Sequence, residues 1–459
     1  MNLNGCASSR KNGLHETSRT LEREISSKST STAHCKLVEL IDAANYSPGR
    51  ILSSTRKPSP DERSVETRIV SYNPAKKDPY GSATFPIYQT ATFAQPSATE
   101  FGDYDYTRSG NPTRDSAQNI LAEVDNGCAA YCFSTGMAAI MVVTRFAESG
   151  QNIILSDDSY GGTYRLLAQV CSKQGVPVKY VDMSGEDGPR NLAAAMSSNT
   201  ALVMCESPTN PLMRVCPLRA LADVAHSRDA LFSVDNTLMT GLLVRPLDLG
   251  ADFVVTSCTK FACGHSDTMA GVVAVRDPEL AKRVYFYQNA EGTGLAPFDC
   301  WLLLRGIKTM PLRLERGQAN AMKVAHFLSG HPRVTSVRYA GLADNPGGYE
   351  MHYVDNEAKG AGVVVCFTTG SYTFSTQVAS MAAKSGLFKI TVSFGSVNSL
   401  ISLPGDMSHA SIPDEVKAAR EFPADIIRLS IGIECADDLI AVLNNALDTA
   451  EVEGPAARL

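Results

Sequence analysis

A chain of 459 residues exceeds what one hydrophobic core usually organises, so two domains with terminal extensions are expected. Its composition is globular, 44% hydrophobic and 20% charged, and a net charge of −6 offers no footing for nucleic acid or an anionic membrane surface. No apolar run approaches the ~18 residues of a membrane span, and the twelve cysteines are scattered without a CxxC pair, so buried, reduced thiols are expected rather than a zinc or redox motif.

Residues 1–60 stand apart. They carry nine Lys/Arg against five Asp/Glu and a Ser/Thr-rich stretch, Ser26-Ser-Lys-Ser-Thr-Ser-Thr32, without the apolar centre of a secretory signal. A transit peptide or a disordered leader is expected. Tyr106-Thr-Arg-Ser-Gly-Asn-Pro-Thr113 has the polar, turn-ended character of a loop, in which Arg108 can clamp a phosphate or simply face solvent. Phe133-Ser-Thr-Gly-Met-Ala-Ala139 runs from a short apolar segment into a helix. The N–H groups of a helix start suit a phosphate, and Gly136 permits close approach; an ordinary cap by Ser134 or Thr135 is the plain alternative.

From about 126 to 258 apolar runs alternate with helical patterns. Strands are expected at Asn152–Ser156, Val176–Asp182, Ala201–Glu206, Leu231–Asp235 and Phe253–Ser257, with helices at Tyr164–Val170 and Pro217–Val224. Such alternation builds a mainly parallel sheet covered by helices. Beyond about 308, helical Arg316–Ser329 and Ser375–Ala383 mix with strand-like Gly362–Thr368 and Ile426–Ile431, which implies a smaller α+β domain.

Glu206, Asp235 and Lys260 all fall at or just past strand carboxyl ends, where open α/β sheets bind ligands. A lone lysine there is ordinarily solvated. Here it lies in Ser257-Cys-Thr-Lys-Phe-Ala-Cys-Gly264, with Asp235 25 residues upstream. A lysine amine that condenses with an aldehyde, and a carboxylate that keeps a pyridine nitrogen protonated, are what pyridoxal phosphate (PLP) needs. Tyr160, after a strand, can stack on a planar cofactor or fill an ordinary turn. Arg428, in an apolar strand-like run, needs a carboxylate: Glu434 or a substrate. His265 is expected to hold the lysine loop.

With these residues in place, the chain resembles the trans-sulfuration family of PLP enzymes from about Ser82 to Thr449. The shared segments include Tyr88-Gln-Thr-Ala-Thr-Phe93, Tyr106–Thr113, Glu206-Ser-Pro-Thr-Asn-Pro211, the lysine motif, Gly294-Leu-Ala-Pro-Phe-Asp-Cys-Trp301 and Val392–Leu400. The resemblance implies an aspartate-aminotransferase (fold type I) architecture. Its parts would be a leader (1–60), an N-terminal arm (61–110), a large PLP domain (111–307) and a small α+β domain (308–459). It implies that Lys260 holds PLP and takes the Cα proton, Asp235 faces the pyridine nitrogen, Tyr160 stacks on the ring and Asn210 approaches its phenolic oxygen. Gly136, Met137, Ser257 and Thr259 would hold the phosphate, with Tyr106 and Arg108 reaching it from a neighbouring subunit of a tetramer. Ser393 and Arg428 would grip the substrate carboxylate.

Gly162, where methionine γ-lyases carry Cys, and Asn398, where γ-acting lyases often carry Glu, fit the branch that splits cystathionine by β-elimination to homocysteine, pyruvate and ammonia. A γ-synthase or γ-lyase on the same scaffold is the alternative, and a catalytically silent structural relative a further one. The same resemblance points the leader to a plastid, with the cytoplasm as alternative.

Overall fold

The computed structural model describes residues 63–72, 78, 80–345 and 348–451. The leader expected over 1–60 lies outside them. Among the described residues, twelve strands form two sheets. The first holds β1 (Ala129–Phe133), β2 (Asn152–Ser156), β3 (Val178–Val181), β4 (Thr200–Glu206), β5 (Leu231–Asp235), β6 (Phe253–Thr256) and β7 (Gly271–Val275). The second holds β8 (Ser336–Arg338), β9 (Val364–Thr368), β10 (Lys389–Ile390), β11 (Leu400–Ser402) and β12 (Ile427–Ser430).

The first sheet has the order β1-β7-β6-β5-β4-β2-β3. Pairings among β3, β2, β4, β5 and β6 are parallel; β7 joins β6 and β1 antiparallel. The expected mainly parallel sheet is therefore present, with an antiparallel edge added by two strands that the predicted alternation omits. Strands covered on both faces need apolar side chains at every position. β1, β2, β6 and β7 are buried throughout, whereas edge strand β3 is partly exposed. Helices Pro112–Val124, Gly136–Thr144 and Leu218–His226 bury their apolar sides against this sheet.

The expected Tyr164–Val170 helix divides. A short α-helix, Gly161–Leu166, passes into a π-turn at Leu167–Cys171. Ser257, placed at the end of a predicted strand, lies one residue past β6 in the turn that carries Lys260.

The second sheet, β10-β11-β12-β9-β8, is antiparallel except for β10–β11. Its core packs Val365, Phe367, Ile427 and Leu429 against Val378 and Leu443 of the helices Tyr372–Lys384 and Ala436–Thr449. Of the ten described cysteines, all free, eight are buried, the burial that their scattered placing in apolar segments predicts. No described helix is long and apolar enough to cross a membrane.

This topology places the site. The parallel strands β2, β4, β5 and β6 end at one sheet edge, delivering Asp158–Tyr160, Glu206–Asn210, Asp235 and Ser257–Lys260 to it. Glu206 and Asp235 are register partners there.

Candidate active site

The turn after β6 fixes the lysine: Lys260 N donates to Ser257 O at 3.1 Å and Gly264 N to Lys260 O at 2.8 Å. Its Nζ donates to Ser393 Oγ at 2.6 Å and lies 4.9 Å from the Phe394 ring centroid. Burial, aided by the Arg428 charge, pushes the Lys260 amine down to about 8. A neutral amine is both the nucleophile that condenses with an aldehyde and the form that accepts a proton.

Asp235 is held by its neighbour two residues on. Its Oδ1 accepts from Thr237 N at 3.0 Å and from Thr237 Oγ1 at 2.6 Å. The same hydroxyl accepts from Ser257 N at 2.8 Å, tying the acid to the lysine turn. Burial raises the affinity of Asp235 for a proton and the Thr237 bonds oppose it. A cationic ring nitrogen at this carboxylate would favour its charged form.

The helix Gly136–Thr144 begins beside that turn, with Thr135 Oγ1 capping Ala138 N at 3.0 Å. A Cβ on Gly136 would lie 2.9 Å from Ser257 Cβ and 3.0 Å from Ser257 Oγ, so only glycine lets the helix start and the turn close into one cradle. Thr259 Oγ1 donates to Ala270 O at 3.2 Å and accepts from Ala270 N at 3.0 Å. To donate to a phosphate it must exchange the bond to Ala270 O.

Arg428 on β12 reaches the first sheet's edge although only 2% exposed. Its Nη1 donates to Asn210 Oδ1 at 2.9 Å and its Nη2 to Ser393 O at 3.3 Å. Glu434, one of its two expected partners, instead accepts from Ser399 N at 2.7 Å and Ser399 Oγ at 2.9 Å. Among the described residues no carboxylate pairs with this buried guanidinium, which leaves it matched to a carboxylate from outside.

Tyr160 opens the helix Gly161–Leu166, and Met137 Sδ would lie 3.0 Å from a Cβ on Gly162, which would also run into the Tyr160 ring. His265 Nδ1 lies 2.7 Å from Cys263 O, the loop-holding place expected of it. The chain does not bring Tyr106 and Arg108 to this group. Arg108 Nη1 donates to Asn289 O at 3.1 Å and Asn289 Oδ1 at 2.8 Å, and Tyr106 is 48% exposed.

Four contributors escape the sequence reading: Asp158, Thr237, Phe394 and His409. Thr237 had a local signal, a hydroxyl two residues after an acid, which favours an Asx-type turn. His409, whose Nε2 lies 2.9 Å from Asn210 O, had none, because the contact joins residues 199 apart.

These groups fit PLP. Among the described residues, a desolvated lysine, a half-buried acid without an ion-pair partner, a glycine-floored cradle at a helix start and a buried arginine without an ion-pair partner supply the donor and acceptor types it requires. The family model for Cys/Met metabolism PLP-dependent enzymes matches residues 66–448. The chloroplastic cystathionine β-lyase of Arabidopsis thaliana is 49% identical over 430 residues, 93% of this chain and 90% of that protein. That of Mimosa pudica is 53% identical over 372 residues, 81% of this chain and 79% of that protein. A solved cystathionine γ-synthase of Xanthomonas oryzae pv. oryzae, in complex with cystathionine, has a TM-score of 0.81 and 36% identity, covering 84% of this chain and 98% of its own. The architecture is that of the fold-type-I PLP enzymes. Sequence, fold and site chemistry agree, and the chain belongs to the Cys/Met metabolism family of PLP-dependent enzymes.

Proposed function

We infer that this chain is a carbon–sulfur lyase that splits L-cystathionine by β-elimination into homocysteine, pyruvate and ammonia, a step toward methionine. The observation that carries the reading is the buried Arg428, which forms no ion pair among the described residues, beside a desolvated Lys260, in a chain whose β-lyase relatives are 49% and 53% identical.

Lys260 would hold PLP, Asp235 its ring nitrogen, Tyr160 its face and Asn210 its phenolic oxygen, with Gly136, Met137, Ser257 and Thr259 around its phosphate. Once bound, PLP supplies an electron sink that makes a Cα proton acidic. Arg428 and Ser393 orient the amino acid through its carboxylate. Lys260, with its proton affinity lowered by burial, takes the Cα proton at Nζ, and Ser393 Oγ steadies that nitrogen. A leaving group on Cβ then departs without any second deprotonation. Gly162 and Asn398 support β- over γ-elimination: neither adds a thiol or acid to the site.

Tyr106 and Arg108 are assigned to the neighbouring subunit's phosphate, since within the chain Arg108 rests on Asn289. A tetramer of two such dimers accords with apolar groups left exposed at Phe101, Phe298 and Leu312. The seven strands of the first sheet lie within 111–307 and the five of the second within 308–459, which supports that division into large and small domains.

The deciding assay supplies cystathionine and identifies the keto acid by chromatography. Pyruvate with homocysteine is expected. 2-Oxobutyrate as main product would assign a γ-lyase, and cystathionine made from cysteine and an activated homoserine ester a γ-synthase. Residues 1–60 are proposed as a plastid-targeting segment, supported by their composition and by the chloroplastic relatives. A fluorescent reporter fused to them should enter plastids of a plant cell; a cytosolic reporter would refute the targeting.

A further inference from the structure

Two carboxyl groups at the sheet edge have no part in the chemistry above, yet each is bound into a neighbouring loop. Glu206 ends β4, and its Oε2 accepts the backbone N–H of Tyr160 in the loop after β2 at 3.1 Å. Asp158, in that β2 loop, sends its Oδ2 the other way, to the backbone N–H of Leu212 in the loop after β4 at 3.2 Å. The two loops thus exchange carboxyls. Both side chains are enclosed, at 5% and 4% exposure. The nearby cation Arg214 pairs with Asp157 and Asp182 instead, at 3.9 and 3.4 Å.

The loops so joined carry two cofactor-side residues. One presents Tyr160. The other presents Asn210, whose Oδ1 accepts from Arg428 and whose carbonyl is met by His409. We propose that Glu206 and Asp158 are positioning residues, a reciprocal brace that sets Tyr160 and Asn210 in mutual register before cofactor and substrate arrive. The proposal refines the functional reading above and rests on it for the roles of Tyr160 and Asn210.

The brace works through hydrogen-bond acceptance, by Glu206 Oε2 from Tyr160 N and by Asp158 Oδ2 from Leu212 N. Burial, then repulsion from Asp235 and from Asp158, pushes the Glu206 carboxyl well above its ordinary range. Burial, opposed by its hydrogen bonds, brings Asp158 to about 6. Ionised or protonated, a carboxyl accepts an N–H through an unprotonated oxygen, and so does the oxygen of an isosteric amide.

The experiment compares Glu206→Gln, Asp158→Asn, Glu206→Ala, Asp158→Ala and the double alanine variant by hydrogen exchange on the PLP-free protein and by PLP titration. Either alanine variant should speed exchange of the Tyr160 and the Leu212 amides alike, because each carboxyl supports both loops. Each should weaken PLP binding about tenfold or more, as loss of a buried acceptor implies. The double variant should be no worse than the poorer single, the signature of a coupled pair. The amide variants should stay within about threefold of wild type.

Amides as damaging as alanines would overturn the proposal. So would exchange confined to the mutated loop's own partner, or additive losses in the double variant. Should the alanine variants fail to fold, the amide variants decide: near-normal exchange and PLP affinity sustain the brace, and loss of either refutes it. Wild-type protein that failed to bind PLP would defeat the functional reading, while the exchange experiment would still judge the brace.

Discussion

Lys260 sits just past β6 with its amine against the Ser393 hydroxyl and the Phe394 ring. Its proton affinity falls because the ammonium loses water without gaining an acid; the adjacent charge is Arg428, of like sign. The folded pKa is lowered to about 8, so the neutral amine predominates above that pH rather than above the ~10.4 of a solvated lysine. In PLP-free protein, borohydride trapping of a small aldehyde on Lys260 should rise with pH and level off just above 8. A rate still climbing at pH 10 would show a solvated amine. Lys260→Ala should lower turnover by about 10²–10⁴-fold or more and abolish the borohydride-reducible PLP link. A persisting link on another lysine would overturn the assignment. Asp235 was as legible, since an acid closing an apolar strand has a clear place at a sheet edge. Thr237, which holds it, was less so, because a hydroxyl in a turn has many uses.

At the scale of elements, the parallel strands were readable because burial on both faces demands runs dominated by apolar residues, as in β2 and β6. β7 met the same demand, but its antiparallel course follows from pairing with β6 and β1 across the chain, which no local pattern encodes. The π-turn at Leu167–Cys171 was hidden too: an apolar stretch of helical character does not announce one extra residue per turn. The junction of β1 with its helix was legible as Ser-Thr-Gly, yet the reason for glycine is tertiary, the approach of Ser257. Gly136→Ala must displace Ser257 or the helix start, since its Cβ would come within 2.9 Å. The substitution favours the helix itself, so the melting temperature of PLP-free protein should change little. PLP affinity should fall about tenfold, as expected for one disturbed charge-assisted phosphate contact. Unchanged affinity would mean the cradle lies elsewhere.

For the whole molecule the question is where Arg108 acts. Within one chain its guanidinium donates to Asn289, on the helix Pro278–Ala290, rather than to the groups around Lys260 and Asp235. Arg114 fixes the loop that bears it, donating to Thr107 O at 2.6 Å and to Arg108 O at 3.0 Å. A buried arginine used to shape a neighbouring arginine's loop implies that Arg108 is presented to something. In a two-fold dimer the same patch faces itself, so each subunit's Arg108 would complete the other's phosphate site. Complementation tests this directly. Lys260→Ala and Arg108→Ala should each be severely impaired as pure oligomers. Mixed in equal amounts under conditions that allow subunit exchange, about half the dimers become hybrids, each with one site holding Lys260 from one chain and Arg108 from the other. Recovered activity should approach about a quarter of wild type. Exchange must be verified separately, by mass-tagged subunits. Proven exchange without recovery would place Lys260 and Arg108 in the same chain's site, and the shared-site arrangement would be abandoned.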